Sequence, residues 1–327
     1  MRRTTRVCRR PFSSILVAGL AAAGAWFAAP GAAAGDPEVV VRADWGSGPG
    51  QLGRRGGDES APEGPMSFAM EPGGEVWVLD QVNRRVVHFA ADGRYLAVVP
   101  IDLDTFQGLA LAPSGELVLM DRLAARIVRV LSPDGAVLAE VPLEGVGIDE
   151  GGGTTALFAR DDGVWVEYDH TRSVRVLDAQ WRAPVVRELL PGRPLGPGAI
   201  SGQARRAGPA AVELRTVDRD SDVTLAETTL VLAEPVWRIA ELAGDAQGNV
   251  ALAVHLLRED PAREFAVAYE ALAVLVLDGA LVERRRVVTT PSVGGWEQFK
   301  EFELSADGTL WQMAFVAGGV EVRRWRP

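Results

Sequence analysis

The sequence predicts an all-β chain folded as a six-bladed β-propeller of four-stranded antiparallel blades. The ring is expected to close by pairing an N-terminal strand with the C-terminal blade. Three observations carry this expectation. First, a segment occurs twice in near-identical outline. Pro72-Gly73-Gly74-Glu75-Val76-Trp77-Val78-Leu79-Asp80 is followed by Asn83-Arg84-Arg85-Val86-Val87-His88-Phe89 and then Asp92-Gly93. Pro113-Ser114-Gly115-Glu116-Leu117-Val118-Leu119-Met120-Asp121 is followed by Arg126-Ile127-Val128-Arg129-Val130 and then Asp134-Gly135. Second, turn glycines recur along the chain at Gly74, Gly115, Gly163, Gly208, Gly248 and Gly308. Third, the last unit runs from Phe302 to Val322 and stops after three strands, while Glu38-Val39-Val40-Val41-Arg42 offers the missing fourth. Pairing the two ends would remove exposed strand edges.

A period of roughly 40 residues marks stacked units, each too small to bury its own apolar face. Within a unit, a short apolar stretch such as Ser67-Phe68-Ala69-Met70 precedes the glycine. A period-2 strand such as Val76-Trp77-Val78-Leu79 follows it, then a loop, then a third strand such as Val86 to Phe89. Asp-Gly dipeptides (Asp92-Gly93, Asp134-Gly135, Asp278-Gly279) suit the positive φ of a tight hairpin before the fourth strand, as at Tyr95 to Val99. The fourth blade, about residues 198–234, departs most, with an atypical strand after Gly208 and no Asp-Gly turn. The long interval between Gly248 and Gly308 is expected to hold two insertions. One is a loop from Leu257 to Glu264, the other a connection from Arg284-Arg285-Arg286 through Gly294-Gly295.

Residues 1–34 read as a secretory signal peptide, leaving 35–327 as a single propeller domain. Arg2, Arg3, Arg6, Arg9 and Arg10 form a basic start, Ile15 to Ala29 an apolar run, and Ala32-Ala33-Ala34 a small-residue cleavage site. Arg9-Arg10-Pro11-Phe12 matches part of the twin-arginine export pattern. The expected location is the periplasm or the exterior, with no stable membrane insertion after cleavage.

Among 327 residues, 47% are hydrophobic and 24% charged, an ordinary globular balance. Loss of the five leader arginines would take the net charge from −10 to −15. Such a surface repels phosphate backbones, so nucleic acid is excluded as a partner. Cys8, in the leader, is the one cysteine. The mature protein therefore lacks disulfides, thiolate metal sites and a cysteine nucleophile.

In a propeller of this kind the first strand of each blade starts at one face, and the loop joining the second and third strands returns to it. The residues seven beyond each turn glycine are expected in that loop: Gln81, Arg122, His170, Arg215, His255 and Phe315. The expected starts of first strands add Ser67, Gln107, Thr155, Ser201, Glu241, Lys300 and Glu301. His170 and His255 with Glu241 or Glu301 form the candidate metal set, since imidazole and carboxylate together bind Zn²⁺ or Ca²⁺. A divalent cation is thus the one cofactor the pattern allows. No HxH or HExxH spacing reinforces it. His88, placed level with Arg129 and Arg175, is expected to be solvated. Gly151-Gly152-Gly153 lacks the Lys-Ser/Thr of a phosphate cradle and reads as a flexible connection. Trp77, Trp165 and Trp311 read as packing between blades. No residue is assigned a catalytic role.

The first unit resembles the NHL-repeat family of six-bladed propellers. Gly74, Asp80, Asn83, Arg85, Val86, Phe89, Asp92 and Gly93 carry the resemblance, with Gly46-Ser47-Gly48-Pro49-Gly50-Gln51-Leu52 as a glycine-rich lead-in. The second unit keeps Asp121 and Arg126 but has Ala124 in place of Asn83, and later units erode further. Within the repeat, Asp80 and Arg85 are expected to form a local ion pair. The resemblance implies ligand binding on the face described above, and lyase or lactonase relatives place metals near the channel. The functional expectation is an exported binding or scaffolding propeller for a protein or peptide partner, acting as a monomer. The alternative is a metal-dependent lyase or hydrolase of the lactonase or amidating-lyase type, with its site at the central channel.

Overall fold

A computed structural model describes residues 35–57, 60–196, 198–264, 266–292 and 297–327. The expected signal peptide and the Gly294-Gly295 connection lie outside the described residues. The described residues belong to one compact unit, Gly31–Pro327. It opens with β1 (Glu38–Asp44) and a short hairpin, β2 (Arg55–Gly57) and β3 (Ser60–Glu63).

Six antiparallel four-stranded sheets follow the predicted plan. Blade one is β4 (Ser67–Met70), β5 (Val76–Asp80), β6 (Arg85–Phe89) and β7 (Tyr95–Pro100). Blade two is β8 (Gly108–Leu111), β9 (Leu117–Asp121), β10 (Ile127–Leu131) and β11 (Val137–Pro142). Blade three is β12 (Thr154–Arg160), β13 (Gly163–Tyr168), β14 (Arg172–Asp178) and β15 (Leu189–Pro191). Blade four is β16 (Arg193–Leu195), β17 (Ile200–Gly208), β18 (Ala211–Asp218) and β19 (Val223–Val231). Blade five is β20 (Val236–Gly244), β21 (Val250–Glu259), β22 (Val267–Leu277) and β23 (Glu283–Thr289). Blade six is β24 (Phe302–Leu304), β25 (Leu310–Val316) and β26 (Gly319–Trp325), completed by β1 as its outer strand.

Ring closure follows the expected pairing. β1 and β26 run antiparallel from Glu38 opposite Arg324 to Asp44 opposite Gly319. Glu38 also takes a charge-assisted bond from Arg324 Nη2 at 2.6 Å. Gly93 shows why the Asp-Gly turn of blade one needs glycine. Its φ is +82°, and a Cβ there would sit 2.0 Å from the Val40 carbonyl oxygen of the closing strand.

Alternation along the strands fills the space between blades with apolar side chains. Val41, Phe68, Val78, Val87, Met313 and Val322 are fully sealed where the last blade meets the first. Each such side chain contributes about 1.5–3 kcal/mol by leaving water. A staple recurs in three blades. The indole N–H of Trp77, Trp165 and Trp311 donates to Glu71, Asp162 and Ser305, at 2.7, 2.9 and 2.8 Å, which ties strand two to its preceding turn. The cross-strand partners His88, Arg175 and Arg324 cover the indole faces. His88 is therefore not solvated: it stacks on Trp77 with centroids 3.8 Å apart and planes 9° from parallel.

Several expectations of position are corrected. Gly208 is not the turn between strands one and two of blade four. That turn holds Gly196 (φ +59°), while Gly208 ends strand two, so the blade starts at Arg193. Ser201 accordingly lies in strand two and Arg215 within strand three, not at a loop. Arg126 does not match Arg85. Asp80 pairs with Arg85, but Asp121 pairs with Ile127, so the loop of blade two is one residue longer and Arg126 takes the left-handed position (φ +56°) held by Arg84 in blade one. The same offset puts Val130, not Arg129, level with His88. Arg284 to Arg286 form part of β23, and Leu257 to Glu259 extend β21, so neither insertion is wholly loop. Gly151 to Gly153 form a packed 3₁₀ turn, where a Cβ on Gly151 would lie 2.2 Å from the Arg122 carbonyl oxygen.

Candidate functional site

The first strands of all six blades line the central channel, whose cavity measures about 250 Å³ between Met70, Leu109, Leu157, Pro194, Leu242 and Leu304. Above it, on the face where first strands begin, lies a wider cleft of about 490 Å³. Thr155 and Phe299 line both spaces, so the cleft opens onto the channel. The rim is uneven for a reason visible in the strands. Those of blade five span seven to eleven residues, against four to six in blade one. The β21–β22 hairpin carries Leu257 and Glu270 into the cleft wall.

Residues 297–301 form the opposite wall. Backbone N–H groups of Phe299 and Lys300 donate to the Met66 carbonyl at 2.8 and 3.0 Å, and Gln298 Nε2 donates to the Met313 carbonyl at 3.1 Å. This seats Phe299 over the channel without a regular strand. The wall residues Gln298, Phe299 and Glu297 carry no repeat signal, which is why sequence reasoning missed them. Trp237, at the start of β20, was also missed; a strand-start tryptophan with no counterpart in the repeat was the available signal.

Of the predicted residues, Arg122, Thr155, His170, His255 and Glu301 converge on the cleft. Arg122 is anchored by bonds from Nη1 to the Gly152 and Thr154 carbonyls at 3.1 and 3.0 Å, with its guanidinium 5.4 Å from the Phe299 ring centre. Its Nη2 approaches Glu297 at 3.7 Å. Arg238 donates to Glu301 at 2.6 Å and lies 6.0 Å from the Trp237 ring centre. His255 is buried, with Nε2 2.9 Å from Glu270 Oε1 and its ring edge-to-face with Trp237 at 5.2 Å. Its Nδ1 is sealed and has no hydrogen-bond partner among the described residues. Burial, reinforced by the nearby Arg238 charge, holds the His255 imidazole below its ordinary pKa, against the pull of Glu301 and Glu270.

His170 sits in left-handed backbone (φ +53°), and its Nδ1 lies 3.2 Å from Glu167 Oε2. The two imidazoles thus bind separate carboxylates. Among the described residues, neither belongs to a group of three ligating side chains with donor atoms within 4.8 Å of one another.

The remaining candidates lie elsewhere. Gln81 is buried and clamps the approach to β4, accepting from Met66 N–H at 3.3 Å and donating to the Gly64 carbonyl at 2.7 Å. Arg215 donates to Gln203 beside a separate pocket of blade four. Glu241 does not start the first strand of blade five, which begins at Val236; from within β20 it faces the channel and pairs with Arg193. Arg193 in turn binds Glu167 through Nε at 3.0 Å and Nη2 at 2.7 Å. One buried guanidinium therefore links blades three, four and five. The Arg193 charge and the His170 contact hold the Glu167 carboxyl far below its ordinary range despite burial. No helix among the described residues is long and apolar enough to cross a membrane.

No family model and no curated protein matches this chain. Solved structures do. Hydrazine synthase of Kuenenia stuttgartiensis is similar with a TM-score of 0.51 and 11% identity, over 76% of this chain and 72% of that one. A duf4221 member from Bacteroides vulgatus has a TM-score of 0.48 at 10% identity, over 89% and 98%. U3-55K has a TM-score of 0.45 at 14% identity, over 80% of each chain. At such identities the likeness to the synthase shows the fold alone.

Proposed function

We propose that the protein is an exported, NHL-like binding module that holds a peptide segment of a partner protein in the cleft above its channel. The observation that carries this reading is Trp237. It is the one exposed tryptophan among the described residues, at 55% exposure, and it stands at the mouth of the 490 Å³ cleft. An indole kept in water offers a large rigid contact surface to an incoming side chain. Around it the lining alternates apolar groups (Phe299, Leu257) with anchored charges of both signs (Arg122, Arg238, Glu270, Glu297). Such a lining matches the mixed side chains of a peptide better than a purely apolar ligand. The NHL-like assignment is supported by blade one. There Asp80 Oδ2 accepts from Asn83 Nδ2 and Arg85 Nε, each at 2.8 Å, and Arg85 donates onward to Ser47, Gly48 and Gln51 carbonyls of the glycine-rich lead-in.

A displayed random-peptide library panned on the purified protein tests the reading. Enriched peptides should lose at least tenfold in affinity on Trp237→Ala, and again on Arg122→Ala. No enrichment, or binding indifferent to both substitutions, overturns it.

A further inference from the structure

We propose that Glu71 and Glu75, at the turn between β4 and β5 of blade one, form with His88 a binding site for one divalent transition cation of the Zn²⁺ class. Each offers one ligand atom, and the three atoms lie within 4.8 Å of one another. His88 Nε2 is 2.7 Å from Glu75 Oε2 and 3.9 Å from Glu71 Oε1. Zn–N and Zn–O bonds of about 2.0–2.2 Å put neighbouring ligands roughly 3.3–3.6 Å apart in a tetrahedron, between those two distances.

Two further observations point to a cation. The carboxylates of Glu71 and Glu75 converge in an arginine-rich chain, yet among the described residues no arginine or lysine lies within ion-pair distance of either. His88 Nε2 is sealed from solvent and makes no hydrogen bond, because Glu75 approaches it outside hydrogen-bonding geometry. An imidazole nitrogen and two carboxylate oxygens set this close need a positive charge between them, and a bound cation supplies it. Two carboxylates and a neutral imidazole balance a charge of +2. A nitrogen ligand and so few oxygens suit Zn²⁺ rather than Ca²⁺, which takes 6–8 oxygens.

Comparison among blades shows that the set is not needed to build the turn. Blade two makes the same turn bonds, Ala112 N–H to Glu116 O and Gly115 N–H to Ala112 O, with Ala112 in place of Glu71 and Val130 level with His88. Blades three and six cover their tryptophans with Arg175 and Arg324, which have no lone pair to give. In blade one the covering group is a potential ligand, its ring fixed by the Trp77 stack. The Trp77 indole N–H donates to Glu71 Oε1 at 2.7 Å and orients that carboxylate as an outer-shell partner would. Glu71 and Glu75 remain partly exposed, so an ion can enter from water.

Calorimetric titration of the chelator-treated protein with ZnCl₂, then separately with CaCl₂, tests the site. One Zn²⁺ should bind per chain, more tightly than Ca²⁺. His88→Gln and Glu71→Ala should each weaken Zn²⁺ binding by well over tenfold, and Trp77→Phe by about tenfold. The His170→Ala/His255→Ala double variant should bind as the parent does. Glu71→Ala also removes the acceptor of the Trp77 indole, so its metal-free melting temperature should fall; Glu75→Gln leaves that bond in place and should match the parent in metal-free melting temperature while losing Zn²⁺ affinity. Zn²⁺ binding no stronger than in His88→Gln, or binding lost in the double variant, overturns the proposal.

Discussion

Arg193 Nη2 lies 2.7 Å from Glu167 Oε2, and both side chains are only 2% exposed. With Glu241 on the other side of the same guanidinium, this pair makes the junction of three blades depend on one charge. Arg193→Ala strands two carboxylates at the channel wall and should cost about 3–5 kcal/mol in urea unfolding. Replacing all three, as Glu167→Gln/Arg193→Met/Glu241→Gln, should recover part of that loss, because no unpaired charge stays buried.

The same junction sets an acid limit. Glu167 ionises far below the ordinary carboxylate range in the folded chain, so its contribution is complete above the unfolded value of about 4.3. It is lost as pH falls below that value. In Glu167→Gln the acid slope of stability below pH about 4.3 should be shallower, measured by denaturant titration at stepped pH.

His255 acts at milder pH. Its folded pKa is depressed, so below an unfolded value of about 6.5 the unfolded chain binds a proton that the fold resists. Stability from this group is present above pH 6.5 and declines as pH falls through 6. His255→Gln should remove that decline, read from melting temperatures between pH 5 and 8.

Gly93→Ala should test closure of the ring. The new Cβ meets the Val40 carbonyl oxygen, and φ +82° is unfavourable for alanine. A loss of about 2 kcal/mol or more is expected. Gly115→Ala is the control, since it shares a positive φ but meets nothing within 4 Å.

Arg85→Ala should free the lead-in without unfolding the propeller. It removes bonds to three lead-in carbonyls and the 2.8 Å pair with Asp80. Limited proteolysis should then cut between residues 46 and 54 well before the parent is cut, with a global loss of about 1–3 kcal/mol.

The sequence by itself determined the strands, the blade count and the closing pair. Those rest on local physics: period-2 apolar alternation, glycine at positive φ, and the need to bury a strand edge. It failed where local signals mislead about register. Gly208 looks like the other turn glycines, but the Arg193 strand is only three residues long and too short to announce itself. Arg126 keeps the spacing of Arg85 while its loop has one residue more. Arg122, His170 and Glu301 reach the cleft because their loop or strand-start positions follow from the repeat, whereas His255, expected in a loop, reaches it from within β21, which runs on to Glu259. Phe299 and Gln298 join them only through tertiary packing, in a segment that follows no period, and Trp237 joins them from a first strand whose start the repeat did not mark. The tertiary structure alone also decided which charges meet. Glu167, Arg193 and Glu241 come from three blades, the first from a second strand and the other two from first strands, and their pairing follows from how neighbouring blades pack. The cluster of Glu71, Glu75 and His88 arises the same way, since strand register, not spacing along the chain, sets a third-strand imidazole against the turn that precedes strand two.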